Sequence, residues 1–276
     1  MNNFFTALVN YSFMQHAMLA CLLASIGCGI IGTYVVVKRI GFLAGGIAHS
    51  VLAGMGIAYY TGSSPLAGAM VAALVAGILI GWINLHWRQH EDILIAAFWS
   101  VGMAIGILFI SRTPGYGIDL MSYMFGNILL VSDQDLYLML ILDIVIITMV
   151  ILFYRQFLAA AFDEEFSRLR GINVEFFYIL LLCMVALTVV LLIQVVGLIL
   201  VLALLILPAA SAAQFVNTIK HMMALSVVFS IAITTSGLVI SYEPDLPSGS
   251  TIIIVAGLVY VLAIICQKLF IKTRAT

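Results

Sequence analysis

The sequence predicts an all-α, polytopic transmembrane helical bundle of eight or nine spans, and three observations carry that prediction. Of the 276 residues, 64% are hydrophobic and only 8% are charged, whereas a soluble domain carries about 25% charged residues. The apolar residues gather into runs near the length of about 20 that crosses a bilayer core. All but one of the basic residues fall on one side of those runs, the pattern of cytoplasmic loops. No soluble core of this length could cover so much apolar surface, because accessible area falls too slowly with chain length.

Taken in order, the runs lie at 13–37, 41–61, 66–85, 93–111, 134–154, 175–193, 195–216, 222–241 and 250–270. The sixth and seventh are parted only by Gln194 and its neighbours, which leaves eight or nine spans. The basic residues favour nine. With nine spans, Lys38, Arg39, Arg88, Arg155, Arg168, Arg170, Lys220, Lys268, Lys272 and Arg274 share one side. Only Arg112 lies opposite, so ten of the eleven basic residues agree. That predicts an external N-terminus and a cytoplasmic C-terminus. Residues 1–276 read as one transmembrane domain. Met1 to Asn10 lacks the basic stretch of a cleavable signal peptide. The net charge of -1 provides no field to attract nucleic acid. Cys21, Cys28, Cys183 and Cys266 all lie inside apolar runs without CxxC spacing, and read as small apolar helix residues.

The loops carry two further signals. The outer ones are mostly acidic, with Asp119, Asp133, Asp135, Glu243 and Asp245. An acidic face suits the entrance of a cation, and acids also collect wherever basic residues are kept out; both readings stay open. The longest cytoplasmic connection runs from Arg155 to Asn173. There Phe162, Phe166 and Leu169 recur at helical spacing. Asp163, Glu164 and Glu165 stand toward the start, and Arg168 and Arg170 toward the end, the order that complements a helix dipole. Gly171 is placed to stop the helix. A short amphipathic helix near 160–172 must dock on a lipid interface or in a partner's groove. Its acids sit poorly on an anionic membrane surface, which favours a cytoplasmic protein partner.

An ionisable side chain inside a span is costly and marks a functional candidate. His49 lies in the second run, amid Gly41, Gly45, Gly46 and Gly54, and Asp143 lies in the fifth. Imidazole and carboxylate are both ligands for divalent transition metals. The nearby glycines let helices approach closely. A histidine bonded to a backbone carbonyl and an acid bonded to a neighbouring helix are the plain alternatives. Gln194 and Asn217 read as helix–helix hydrogen bonds. His86 and His90, spaced i and i+4 beside Glu91 and Asp92, read as a solvated polar turn. No GxxxxGK[ST], HExxH or GxSxG motif occurs, so the chain lacks the phosphate loop by which an ATPase works and is not predicted to be an enzyme. An ion-gradient carrier with His49 and Asp143 as a proton relay is the alternative transport reading.

Several segments, taken together, resemble the membrane permeases of bacterial ATP-binding-cassette importers for zinc, manganese and iron(II), the ABC-3 class. They are Val37-Lys38-Arg39-Ile40-Gly41-Phe42 followed by Ala48-His49-Ser50; Met124-Phe125-Gly126-Asn127-Ile128-Leu129; Arg168-Leu169-Arg170-Gly171-Ile172; Val196-Gly197 leading to Leu207-Pro208-Ala209-Ala210; and Gly237-Leu238 through Ser241-Tyr242, Asp245 and Pro247-Ser248-Gly249. They follow in order along nearly the whole chain. The resemblance implies an ABC-3 permease fold similar to that of the vitamin-B12 importers. It implies residence in the bacterial inner membrane and a homodimeric pathway. Two cytoplasmic ATPase subunits would power it and an extracytoplasmic metal-binding protein would deliver the ion. No cofactor would be held permanently, since the metal is cargo. The segment Phe162, Asp163, Glu164, Glu165, Phe166, Arg168, Leu169, Arg170 and Gly171 would be the coupling helix. His49 would line the pathway, and Glu243, Asp245 and Asp119 would face the binding protein. Many members carry an aspartate four residues before that histidine, where this chain has Gly45. Losing an oxygen ligand favours zinc over manganese, with iron(II) the further candidate.

Overall fold

The structure, a computed structural model, describes residues 2–87, 91–113, 126, 128–198 and 200–274, and the side chains of all of these except residues 2, 3, 91, 94, 194 and 270–274. The described residues form helices and no strand. In chain order these are α1 (Asn2–Asn10), α2 (Ser12–Lys38), α3 (Gly41–Tyr60), α4 (Pro65–His86), α5 (Glu91–Ser111), a 3-10 turn at Ile128–Leu130, α6 (Asp133–Phe162), α7 (Glu164–Leu169), α8 (Val174–Val196), α9 (Val201–Ala212), α10 (Ile219–Tyr242) and α11 (Ser248–Arg274). Seven of the described helices are long and apolar enough to cross a membrane, and Ile95–Ser111 and Val201–Ala212 are shorter apolar segments. These nine coincide with the nine runs.

Three details depart from the sequence reading. Residues Asn2–Asn10 form α1, whose Phe4 is buried against Tyr242 with ring centroids 5.7 Å apart. The sixth and seventh runs part at Gly197 rather than at Gln194. Gly197 adopts φ 76, and its amide still donates to the Ile193 carbonyl at 3.0 Å. A left-handed residue ends a helix cheaply only when it lacks a Cβ. The fifth run outlasts its apolar stretch: α6 bends at Phe153 (φ -108, ψ 18) and continues to Phe162. Residues 155–162 are mostly good helix formers, so the helix persists beyond the apolar run.

The chain divides into two compact units. One comprises Met1–Val36, Ser122–Asp143 and Leu192–Thr276; the other comprises Val37–Met121 and Ile144–Leu191. In the first, α9, α10 and α11 pack on one another. A Cβ on Gly29 would strike Val227, and one on Gly32 would strike the Leu205 carbonyl, so α2 lies close to α9 and α10. Ser25 and Thr234 hydroxyls meet at 3.1 Å across that seam. His16 Nε2 lies 3.2 Å from the Asp133 carboxylate, pinning the first turns of α2 and α6.

In the second unit α3 packs on both α4 and α5. Gly54 and Gly68 lie against one another's backbone carbonyls, and Gly56 against Gly106. In lipid there is no water to expel between helices, so small residues that allow backbone contact do the packing. Phe153, Phe157 and Phe177 form an edge-to-face cluster between α6 and α8, each pair within 6.5 Å. Gly54→Val places branched carbons into the Gly68 backbone, and overpacking of this kind is expected to destabilise by about 3 kcal/mol. Gly257→Ala meets nothing within 4 Å and is expected to be neutral or slightly stabilising. Thermal unfolding of the two variants in detergent checks the contrast; equal midpoints would contradict it.

Candidate functional site

His49 stands two turns into α3, in the second unit. Its side chain is nearly sealed, at 7% exposure. Glycines set that burial. Gly46 lets Ile95 approach, Gly102 lets α5 approach Ser50, and Gly106 lies on Leu52. The close approach of α5 brings Trp99 onto the imidazole, with centroids 3.9 Å apart and planes within 12°. Next in sequence, Ser50 donates its hydroxyl back to the Gly46 carbonyl at 2.7 Å. It also reaches the Phe98 carbonyl of α5 at 3.4 Å, so the hydroxyl is taken up by backbone oxygens on two helices. His49 Nδ1 is buried with no hydrogen-bond partner among the described residues. The plain alternative, a histidine tied to a backbone carbonyl through that nitrogen, is therefore not what the structure shows. An imidazole held flat by an indole, with a nitrogen unclaimed, can take a proton or a metal ion without breaking a protein bond. A cation gathered on that ring is favoured by the indole face.

Trp99 was not singled out in the sequence. Its one signal was position: tryptophans concentrate at the membrane interfaces, and this one lies mid-helix in α5. Gly45, where a carboxylate was looked for, is buried in α3.

Asp143 belongs to the first unit. It is 2% exposed, and neither carboxylate oxygen has a hydrogen-bond partner of proper geometry among the described residues. It faces the Gly27 backbone of α2. No group of three His, Cys, Asp or Glu that could hold a metal ion occurs among the described residues. His49 and Asp143 fall in different units, and among the described residues each is the one buried histidine or carboxylate of its own unit. The four cysteines are free thiols. His86 bonds the Trp82 carbonyl at 2.8 Å, and its ring stacks on Trp82; His90 lies outside the described residues. Asn217 is exposed in the link between α9 and α10 rather than bridging helices.

The second candidate surface is α7. Asp163 caps it, accepting from the Phe166 amide at 2.9 Å. Gly171, with φ 76, ends it, and the Ile172 amide donates to the Ser167 carbonyl at 3.0 Å. The stop at Gly171 follows the sequence, and the start falls later than the expected 160. The apolar ridge needs one correction. Phe162 is the last residue of α6, because the extended Asp163 breaks the helix after it. Leu169 is 87% exposed, and Phe162 and Phe166 are exposed as well. The Arg170 guanidinium lies 4.7 Å from the Phe166 centroid, and Arg168 reaches Glu175 at 3.7 Å. The charges thus flank the ridge and leave its apolar carbons open.

At the end of α10, Asp245 holds a left-handed backbone (φ 54), and the Leu246 amide closes onto the Ser241 carbonyl at 3.0 Å. Asp245, Tyr242, Phe13 and Ser248 are among the residues lining a cavity of about 450 Å³. Glu243 is exposed beside it. Asp119 lies outside the described residues.

Comparison with known proteins bears on the whole chain. The model of a family described as ABC 3 transport family matches residues 10–267. A probable metal transport system membrane protein of Chlamydia trachomatis is 40% identical over 91% of this chain and 88% of its own. The manganese transport system membrane protein MntC of Halalkalibacterium halodurans is 34% identical over 94% of this chain and 89% of its own. Among solved structures, PsaBC from Streptococcus pneumoniae in complex with Fab superposes with a TM-score of 0.87 at 30% identity, over 95% of this chain and 94% of that one.

Proposed function

The chain belongs to the ABC 3 transport family, and on that premise we propose that its cargo is a divalent first-row transition metal, carried into the cytoplasm past His49. The chain is the membrane permease of an ATP-binding-cassette metal transporter and is no ATPase; ATP is hydrolysed by a separate subunit. The observation that carries the cargo reading is the buried Nδ1 of His49, which has no hydrogen-bond partner among the described residues and lies beneath the Trp99 ring. Neutral imidazole is a ligand for such metals, whereas calcium and magnesium prefer oxygen donors. One histidine is too few to hold an ion. A second copy of the chain, contributing its own His49, is the arrangement this reading calls for. A pathway should bind weakly enough to release, so a sparse ligand set suits passage better than storage.

The reading keeps the termini as the basic residues predict, with α7 in the cytoplasm. There its open apolar ridge meets the ATPase, while Glu243 and Asp245 face an extracytoplasmic metal-binding protein. Gly45, standing where a carboxylate would lie one turn before His49, favours zinc, and the name of the Halalkalibacterium relative favours manganese. Co-expression with candidate ATPase and binding protein, then uptake of radioactive manganese and zinc into vesicles, tests all of this. The expected result is ATP-dependent uptake of one of the two, suppressed by excess of the other and indifferent to magnesium. Uptake that persists without ATP and collapses with the proton gradient would install the carrier alternative instead.

A further inference from the structure

Lys38 ends α2 at a crossing of elements that the sequence keeps far apart. Its ammonium donates to the Glu164 carboxylate at 2.9 Å and to the Ala160 carbonyl at 2.8 Å. It also lies 6.0 Å from the centre of the Tyr178 ring. Tyr178 in turn donates its hydroxyl to Asn84 at 3.1 Å. Glu164 opens α7, Ala160 lies in the last turn of α6, Tyr178 is in α8 and Asn84 is in α4. One half-buried cation therefore ties the short exposed helix to three long ones.

The chain beyond Lys38 makes this tie directional. Only Arg39 and Ile40 separate α2 from α3. Arg39 is in the left-handed conformation (φ 57), which a side-chain-bearing residue holds only under constraint. Ile40 is buried, and its carbonyl already accepts from Ala44. This link is short and fully used, so a displacement of Lys38 carries the base of α3 with it. His49 stands about 12 Å further along that same helix.

We propose that Lys38 is a positioning residue that passes movement of α7 to the helix bearing His49. Through the Glu164 pair and the Arg39-Ile40 link, a pull on α7 shifts α3 against α5 and alters how Trp99 covers the imidazole. The aromatic and tyrosine contacts hold the crossing together so that it moves as one piece. Lys38 touches no cargo; it acts on His49 through the backbone.

The inference rests on the importer reading, so its test uses the assembled transporter in liposomes and reads metal uptake and ATP hydrolysis together. Lys38→Met keeps the stem and removes the charge. The expected result is about a tenfold fall in metal moved per ATP, in the range of coupling between linked sites, with hydrolysis and subunit recovery maintained. Lys38→Arg should retain part of the coupling. The exchanged pair K38E/E164K should transport better than K38E alone. Unchanged uptake per ATP in Lys38→Met overturns the proposal. So does loss of the ATPase from the purified complex, which would make Lys38 a docking residue. An exchanged pair no better than K38E overturns it too. Wild-type transporter that hydrolyses ATP without moving metal would remove the importer reading instead. In that event, amide hydrogen exchange over residues 41–49 of the permease alone still decides: Lys38→Met must speed it, and equal rates overturn the link.

Discussion

Replacing His49 by alanine is expected to abolish metal uptake while the permease still folds and still recovers its ATPase. The ring lies on Trp99 and makes no hydrogen bond through Nδ1 to the described residues, so the fold loses a stacking contact and no hydrogen bond at that nitrogen. The pathway loses the nitrogen donor that the reading places on each chain. Mutation even of the groups that orient metal ligands lowers affinity by about 10–100-fold, and loss of a ligand itself should reduce uptake by roughly a hundredfold. His49→Gln retains polarity without imidazole chemistry and should behave like alanine. Trp99→Ala should give an intermediate loss, since the imidazole survives without its support. The measurement is initial uptake rate normalised to assembled complex. Normal uptake by His49→Ala would end the role assigned to this residue, and loss of complex would show that it serves packing.

The second large effect is expected at the opposite functional surface. Leu169 touches little of its own chain, being 87% exposed, so a charge there should leave the permease intact. Docked in an apolar groove, the leucine contributes about 2 kcal/mol by burial, and a carboxylate in its place adds an unpaired charge. Leu169→Asp is therefore expected to weaken ATPase recovery by at least about 3 kcal/mol, roughly a hundredfold in affinity. Transport should fall with it. Phe166→Asp should do the same, and Phe166→Ala less, because the Arg170 contact is lost without a charge gained. Glu165→Gln, off the ridge, serves as the control. Co-purification and a binding titration with the isolated ATPase give the numbers. Undiminished recovery of the ATPase by Leu169→Asp would place the docking surface elsewhere.

The two surfaces were legible in the sequence to different depths, for physical reasons. The end of α7 could be read because its stop is local: Gly171 takes a backbone angle that residues with a Cβ resist. The start could be misjudged by two residues, since Phe162 matches the ridge period while belonging to α6. His49 could be found because a lone imidazole in a run of apolar residues has no cheap explanation. Trp99 could not, because in a hydrophobic run a tryptophan looks like any other apolar residue until the helix it faces is known. The break before α9 was visible as a short interruption, but the polar Gln194 drew attention from Gly197. A glutamine can stay in a helix, and a glycine at φ 76 cannot.

Sequence alone settled that lipid is the solvent, that backbone groups must be satisfied within helices, and that His49 and Asp143 are exceptions needing an explanation. Those follow from composition and from the cost of polar groups in hydrocarbon, which act residue by residue and need no partner to be named. Packing alone decided that Trp99 covers His49, that Asp143 faces a glycine backbone, and that Lys38 meets Glu164 from 126 positions away. Such meetings depend on which helix faces touch. In a membrane the glycines decide that, through how closely two backbones can approach.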